Sequence, residues 1–261
     1  MTRQELLLKP LTETLESEEY LPLAKMITEN LPEYIFHVPA ASSGKYHNKN
    51  ELGDFGLCRH QIGTLKIMNH LLSLDQYNRQ FSENERDLLR ISALFHDGMK
   101  SGTQEDYERN PQTKFNHPEL MANFVREITH GYDSRDIDFV CENIRAHMGQ
   151  WNTSKKYPEI VLITPITLAQ ELTHLSDYFA SRTDLTITFE PEYFPEPDIA
   201  DIKKRLVEKC KNLIENGIPR EKILEVFERN NDGKKNPNSV QSYATAAIIM
   251  NTLSVMEKAD E

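Results

Sequence analysis

The sequence predicts an all-α protein, a helical bundle followed by a small, mostly helical C-terminal appendage. Three observations support this fold class. Apolar residues recur at three- and four-residue spacings in several stretches, which is the period of one helix face. Helix-start signals stand at or just before some of these stretches. The alternation of apolar and polar residues that is typical of strands occurs only briefly, near 185–198. With 261 residues, the chain is long enough for one large domain, or for one domain with an appendage.

The first predicted helices lie before residue 100. A helix over 62–74 is indicated by five apolar residues at helical spacing: Ile62, Leu65, Met68, Leu71 and Leu72. The sequence "SENE" at 82–85 is a capping box, in which Ser82 caps the helix and Glu85 stands three residues on. This signal opens a helix that runs to about Leu94.

Three more helices follow before residue 183. Pro118 suits the first turn of a helix that carries Leu120, Met121, Phe124 and Ile128. Residues 135–148 place Ile137, Val140, Ile144 and His147 along one stripe. Pro165 is predicted to begin another helix that reaches about Arg182.

The pattern changes near residue 185. The stretch "DLTITFEPEYFPEPD" alternates briefly and is then broken by prolines, so it predicts an extended excursion or a short hairpin. Helices are expected afterwards near 199–215, 219–229 and 239–257, with "NNDGKKNPNS" as a turn. We therefore divide the chain into a domain over 1–184 and an appendage of unknown role over 185–261.

Composition narrows the class of protein. The formal net charge of −11 argues against broad non-specific binding to nucleic acid or to an anionic membrane. No apolar stretch approaches the ~20 residues that span a bilayer, and the N-terminus has acidic residues where a signal peptide has an apolar core. The three cysteines, Cys58, Cys141 and Cys210, have no CxxC spacing, which predicts reduced thiols without disulfides and a cytoplasmic location.

The sequence "SALFHDGMKSG" at 92–102 contains two candidate metal ligands, His96 and Asp97, at the end of an apolar run. Such a pair can simply end a helix, and a single inward histidine such as His147 is more often a satisfied core residue. Burying many ionisable groups is costly, however, unless they pair or bind metal. The further candidates, on separate predicted helices, are His60, His117, His147 and Asp177. Imidazole and carboxylate without thiolate favour Mn, Fe, Co or Ni over a structural zinc site.

The order of these residues resembles that of the HD-domain phosphohydrolase superfamily, over roughly residues 35–183. "HDGMK" is similar to the family's HD-x-x-K, "HPEL" to its third motif and "SDYFASR" to its last. "GKYHNKNELGDFGLCRH" resembles the segment leading into the first helix of members related to 3′–5′ exoribonucleases and plasmid relaxases.

The resemblance implies a metal site among the helices of an HD-domain bundle. It implies His60, His96, Asp97 and Asp177 as ligands of a first divalent metal. His117 and His147 would hold a second ion, with Asp97 bridging and Lys100 beside the bridging water or the substrate phosphate. The expected cofactor is therefore two divalent transition-metal ions, with Mg²⁺ as a further candidate.

Four residues are candidates for contact with substrate. Lys45, Tyr46 and His47 lie in "SSGKYH", which lacks the spacing of a phosphate loop and can equally be a surface turn. Arg182 follows Asp177 by five residues and can pair with a carboxylate or reach substrate.

The predicted function is metal-dependent hydrolysis of a phosphate ester by a metal-activated water, with Asp97 and Lys100 as catalytic residues. The substrate would be a nucleotide, a cyclic nucleotide, a dinucleotide or an oligonucleotide end. Two alternatives remain open: a di-iron oxygenase of the same fold, and an HD-domain binding or sensor module without turnover. The sequence does not predict an oligomeric state.

Overall fold

The computed structural model describes residues 2–41, 47, 49–51, 53–189, 199–230, 249–250, 252–254 and 256. In these residues the predicted all-α fold is confirmed, and the one β-feature is an isolated bridge between Thr153 and Val161. The α-helices are α1 (Arg3–Thr12), α2 (Leu21–Asn30), α3 (Gly56–Leu72), α4 (Asp75–Asn78), α5 (Glu83–Phe95), α6 (Gln104–Arg109), α7 (His117–Ile128), α8 (Ser134–Ala146), α9 (Leu168–Ala180), α10 (Ile199–Glu215) and α11 (Arg220–Asn230). Three short 3₁₀ turns cover Glu18–Tyr20, Glu33–Phe36 and Lys49–Glu51.

The centre of the bundle is formed by α3, α5, α8 and α9. Helix α3 packs against α5 and α9, while α5 also packs against α8, and α7 covers the other side of α8. The apolar faces of α3, α5, α7 and α8 form one core with α1 and α2, two helices that were not predicted from the sequence. Helix α9 packs in a second apolar cluster with α3 and α5. The N-terminal helices therefore belong to the same packed unit as the central four.

Helix boundaries follow local capping chemistry. The capping box of Ser82 and Glu85 is confirmed at the start of α5. Helix α3 begins earlier than predicted, at Gly56. The predicted start of α9 at Pro165 is wrong. The Thr167 side chain accepts a hydrogen bond from the Gln170 backbone and forms a capping box with it, so that α9 begins at Leu168.

The segment after α9 is held against the bundle. Residues 186–189 have no regular secondary structure. The carbonyl of Ile187 accepts a hydrogen bond from the Asn50 side chain, and the carbonyl of Thr188 accepts one from the Lys66 side chain. Phe189 packs against the main core. The rest of the predicted extended excursion, 190–198, lies outside the described residues.

The C-terminal helices α10 and α11 agree with the predicted ones within a residue. They form an apolar cluster of their own with two later residues; its buried members are Leu206, Leu213, Ile218, Ile223, Val226, Phe227, Ile249 and Leu253. Only a few residues of the last predicted helix, 239–257, are described, and these residues are helical. The predicted turn "NNDGKKNPNS" lies, apart from Asn230, outside the described part of the chain.

The described part of the chain has neither a membrane-spanning helix nor a disulfide. None of the helices there has the length and apolar character needed to cross a membrane. All three cysteines are free thiols, with Cys58 and Cys141 buried and Cys210 half-buried. The prediction of reduced thiols agrees with this arrangement.

Candidate metal centre

Six predicted ligand side chains converge at one point in the bundle. His60 lies in α3 and Asp177 in α9. His96 and His147 directly follow α5 and α8, and His117 is the first residue of α7. His147 is thus the C-cap residue of α8, and it is buried like the apolar stripe of that helix. The side chain of Asp177 is 20% exposed, whereas the other five residues are at most 3% exposed.

The two carboxylate oxygens of Asp97 face two different sets of imidazoles. Its Oδ2 lies 3.7 Å from His60 Nε2 and 3.5 Å from His96 Nε2. Its Oδ1 lies 2.9 Å from His117 Nε2 and 3.7 Å from His147 Nε2. One carboxylate therefore stands between two groups of nitrogen atoms, which is the arrangement expected of a bridging ligand.

Asp177 completes the first of these groups. Its Oδ1 lies 3.0 Å from His60 Nε2 and 3.6 Å from His96 Nε2. The candidate ligand atoms of His60, His96 and Asp97 lie within 4.8 Å of one another, and so do those of Asp97, His117 and His147. Both groups are compact enough to enclose an ion after small adjustments.

Three of the histidines are oriented by a backbone carbonyl in the preceding turn. The Nδ1–H groups of His96, His117 and His147 donate to carbonyls three residues earlier, at 2.8, 2.8 and 2.7 Å. The hydrogen bond fixes the proton on Nδ1, so that in the neutral ring the Nε2 lone pair points to the centre. Metal-binding histidines are held in this way by a partner on the other ring nitrogen.

His60 obtains its partner differently because it lies inside α3, not at a helix end. Its Nδ1 is 3.3 Å from Oε2 of Glu51, an ion-pair contact without a hydrogen bond. Glu51 is 1% exposed, and the same Oε2 accepts a 2.7 Å hydrogen bond from His47 Nδ1. Burial alone would raise the pKa of Glu51, but the adjacent His60 and His47 outweigh it and lower that pKa below its usual value. Glu51 is therefore an ionised, buried carboxylate between two imidazoles.

The loop that carries Glu51 is held tightly against the start of α3. The Glu51 carbonyl accepts a 2.9 Å hydrogen bond from the Ala40 backbone. A Cβ atom on residue 56 would lie 2.2 Å from that carbonyl, so this close approach requires Gly56. The backbone thus fixes where the Glu51 carboxylate can reach.

The contacts inside the centre require positive charge between the ligands. His117 Nε2 and His147 Nε2 are 3.1 Å apart, yet each ring already uses Nδ1–H for a carbonyl. Asp97 Oδ1 is buried and has no hydrogen-bond partner. Lone pairs that face one another in a buried site repel unless a proton or a cation lies between them. This donor set fits a divalent metal that accepts imidazole and carboxylate ligands.

In the protein without metal, protons bound to the histidines supply part of this positive charge. Burial alone would lower the pKa of His96, but the charges of Asp97 and Asp177 outweigh it and raise that pKa to about 10. Burial and the adjacent charges of His96 and His117 lower the pKa of His147 to about 3. Burial opposes ionisation of Asp97, yet Lys100 and His96 hold its pKa well below the usual value. Without metal, the His147 ring is therefore neutral at pH 7, whereas the His96 ring is charged beside ionised Asp97 and Asp177.

Lys100 places a cation against one of the candidate ligands. Its Nζ forms a short contact with Asp97 Oδ2, on the side of the carboxylate that faces His60 and His96. The Lys100 side chain is mostly buried, so its charge acts in a poorly screened environment.

Of the four residues predicted to contact substrate, one lies against a candidate ligand. Lys45 and Tyr46 lie outside the described residues. His47 lies against His60, with ring centroids 4.7 Å apart. Arg182 does not join the six ligands: its guanidinium lies over the Tyr178 ring, 4.2 Å from the centroid. Its contact with substrate stays a prediction.

Sequence reasoning missed Glu51. The signal available was a carboxylate four residues after His47 in "HNKNE", which the Lys49–Glu51 turn brings onto the same side. His174 was not among the predicted site residues either, and it donates a 2.7 Å hydrogen bond from Nδ1 to the carbonyl of His147. It therefore supports the backbone of a candidate ligand.

Comparison with protein families agrees with this geometry. Residues 58–182 match the model of the HD domain, a span that contains all six converging residues. The chain therefore contains an HD domain. No curated protein and no solved structure is significantly similar to it. The HD domain coincides with α3 to α9, and the family is largely one of metal-dependent phosphohydrolases.

Proposed function

We propose that this HD-domain protein is a metal-dependent phosphohydrolase or phosphodiesterase that acts on a nucleotide, a cyclic nucleotide or an oligonucleotide end. The observation that carries the proposal is the position of Asp97, whose Oδ2 faces His60 and His96 while its Oδ1 faces His117 and His147. In this proposal His60, His96, Asp97 and Asp177 hold one divalent ion, and Asp97, His117 and His147 hold another.

Bound divalent cations would lower the pKa of a water molecule to near neutrality and so supply a nucleophile. The protein supplies position and charge. Asp97 aligns the two groups of imidazoles, since it contacts both. Lys100, beside Asp97 Oδ2, can neutralise the negative charge that develops on phosphoryl oxygens in the transition state. Phosphoryl transfer needs little more than such positioning and charge stabilisation.

The accessible edge of the centre supports a substrate that enters beside α9. Asp177 is the one candidate ligand with substantial exposure, and Lys100 and His47 are 12% and 10% exposed. The net charge of −11 favours a small phosphate-containing substrate or a nucleic-acid end over a long polyanion.

The proposal is tested with purified full-length protein. Metal analysis should find up to two divalent transition-metal ions per chain. Hydrolysis of bis(p-nitrophenyl) phosphate should depend on added Mn²⁺ and be lost in His96→Ala. A folded His96→Ala protein with unchanged metal content and activity would contradict the proposal. Consumption of dioxygen with an iron-loaded centre, without phosphate release, would instead favour the oxygenase.

A further inference from the structure

An aromatic cluster borders the accessible edge of the metal centre. Trp151 stacks on Tyr178, with ring centroids 5.7 Å apart and ring planes 14° from parallel. It also contacts His174 edge-on, at 5.8 Å between centroids. The Arg182 guanidinium lies over the same Tyr178 ring. Despite these contacts Trp151 is 43% exposed, so a large part of its indole faces solvent.

The cluster is built on the residues that flank Asp177. His174 and Tyr178 lie on α9 on either side of this aspartate, which is the most exposed of the six candidate ligands. His174 is tied to the carbonyl of His147. Gly149, with φ of 56°, lets its ring approach, since a Cβ there would lie 2.2 Å from His174 Cε1. The exposed indole therefore packs on two residues that neighbour the candidate ligands Asp177 and His147.

A rigid, exposed aromatic ring beside a phosphate-processing centre suits a planar, uncharged partner attached to a phosphate. Nucleobases stack on such rings, and loss of the ring weakens binding by about tenfold or more. The adjacent Arg182 adds positive charge, which favours the phosphates attached to a base.

We propose that Trp151, supported by Tyr178, is the base-stacking platform of the substrate site, so that the substrate carries a nucleobase. This inference rests on the proposed function for the identity of the phosphate-binding centre. It also assigns Arg182 a role as support for the platform, through its contact with Tyr178.

Trp151 is the single tryptophan of the chain, so its fluorescence reports directly on the platform. Adenosine 5′-monophosphate and ribose 5-phosphate are mixed in turn with the metal-loaded full-length protein in a stopped-flow instrument, which records binding before turnover. AMP should quench the fluorescence and bind about tenfold or more tightly than ribose 5-phosphate, because only AMP carries a base.

Variants separate stacking from general damage. In Trp151→Ala the ratio of the two affinities, measured by calorimetry, should fall towards one, while Trp151→Phe should retain most of it. Leu74→Ala is the matched control, because Leu74 is 47% exposed and lies between α3 and α4, next to the end of α3 that packs on the start of α9 rather than on Tyr178. It should keep the wild-type ratio.

Equal affinities for AMP and ribose 5-phosphate in the wild-type protein would overturn the platform. If bis(p-nitrophenyl) phosphate were still hydrolysed in that case, the proposed function would stand without it. Conversely, quenching by AMP in a protein without any phosphatase activity would support the platform and contradict the proposed function.

Discussion

Asp97 has contacts that no other candidate ligand shares, because each of its two carboxylate oxygens faces a different pair of imidazoles. Its loss should remove a ligand from both ions, together with negative charge that offsets two dications. We expect Asp97→Ala to abolish hydrolysis and most metal binding while the helices remain. Metal stoichiometry, circular dichroism and turnover measure the three effects.

Two further variants show whether the loss is specific. His147→Ala should retain about one ion and slower turnover, since only the group around Asp97 Oδ1 loses a ligand. Lys100→Ala should keep both ions and mainly lower turnover, because Lys100 acts on transition-state charge. If Asp97 merely capped a helix, Asp97→Ala would cost only about 1 kcal/mol of stability. An active, metal-replete Asp97→Ala protein would overturn the assignment.

Glu51 is the charged partner of His60 Nδ1. We expect Glu51→Gln to weaken binding of one of the two ions by about 10- to 100-fold, because the carboxylate no longer orients His60. Isothermal titration with Co²⁺ and the visible spectrum of the bound Co²⁺ both report on that site. The control is Asp87→Asn, which changes a similarly buried carboxylate in the first half of α5, whereas His96 follows the end of that helix. Unchanged Co²⁺ affinity in Glu51→Gln would contradict this role.

The raised pKa of His96 implies that metal binding competes with protons. Because this pKa is about 10 in the metal-free protein, the ring is protonated at neutral pH and must lose a proton to become a ligand. Metal affinity should therefore increase as the pH rises from 6 to 9. Calorimetry in buffers of different ionisation enthalpy should detect proton release on metal binding at pH 7. A metal affinity that stays constant from pH 6 to 9, without proton release, would contradict this prediction.

At the scale of the helices, Asp87 connects α5 to the N-terminal segment. Its carboxylate is fully buried and accepts hydrogen bonds from the backbones of Glu16 and Ser17 and from Arg90. Removal of one partner from such a buried network should cost about 3 kcal/mol. We expect Asp87→Ala to lower the free energy of unfolding in urea by that amount, with metal stoichiometry unchanged. A loss below 1 kcal/mol would mean that the N-terminal segment is held by its apolar contacts alone.

The sequence predicted the central helices better than the first two. Local signals were sufficient where a cap and an apolar stripe coincide, as at Ser82 in α5. Helix α1 also has a capping box, formed by Thr2 and Glu5, but its stripe is short and contains Pro10. The start of α9 was misplaced because Pro165 suits a first turn, whereas the hydrogen bonds of Thr167 and Gln170 decide the boundary. For the site, the family order predicted which residues meet. The spacing in "HNKNE" is a weak local signal for Glu51, but its contact with His60 is tertiary and no local pattern contains it.

At the scale of the whole molecule, we propose that the chain divides near residue 185, and that residues after it supply no metal ligand. They contain no histidine, and α10 and α11 pack into a separate apolar cluster. Ile187 and Thr188 nevertheless form hydrogen bonds to Asn50 and Lys66. The bundle should therefore tolerate removal of residues 190–261 better than a deletion that also takes 186–189.

Two truncations test this. A chain that ends after Phe189 should fold and bind metal with the full-length stoichiometry, whereas one that ends after Leu185 should be less stable, because it loses both carbonyl contacts and the Phe189 packing. Thermal unfolding and metal analysis compare the two. A folded chain ending at 189 that has lost its metal would show that the C-terminal part contributes to the centre.

The positions of His96 and His147 directly after α5 and α8 have a consequence for dynamics. Both helices direct their carboxyl-terminal ends, which carry partial negative charge, at the point where the ligands converge. In each case the imidazole binds a carbonyl of the final turn, where intrahelical partners are missing. A bound cation would therefore tighten two helix ends at once. Amide hydrogen exchange in the last turns of α5 and α8 should slow when metal is added, and chelation should restore fraying there before the bundle unfolds.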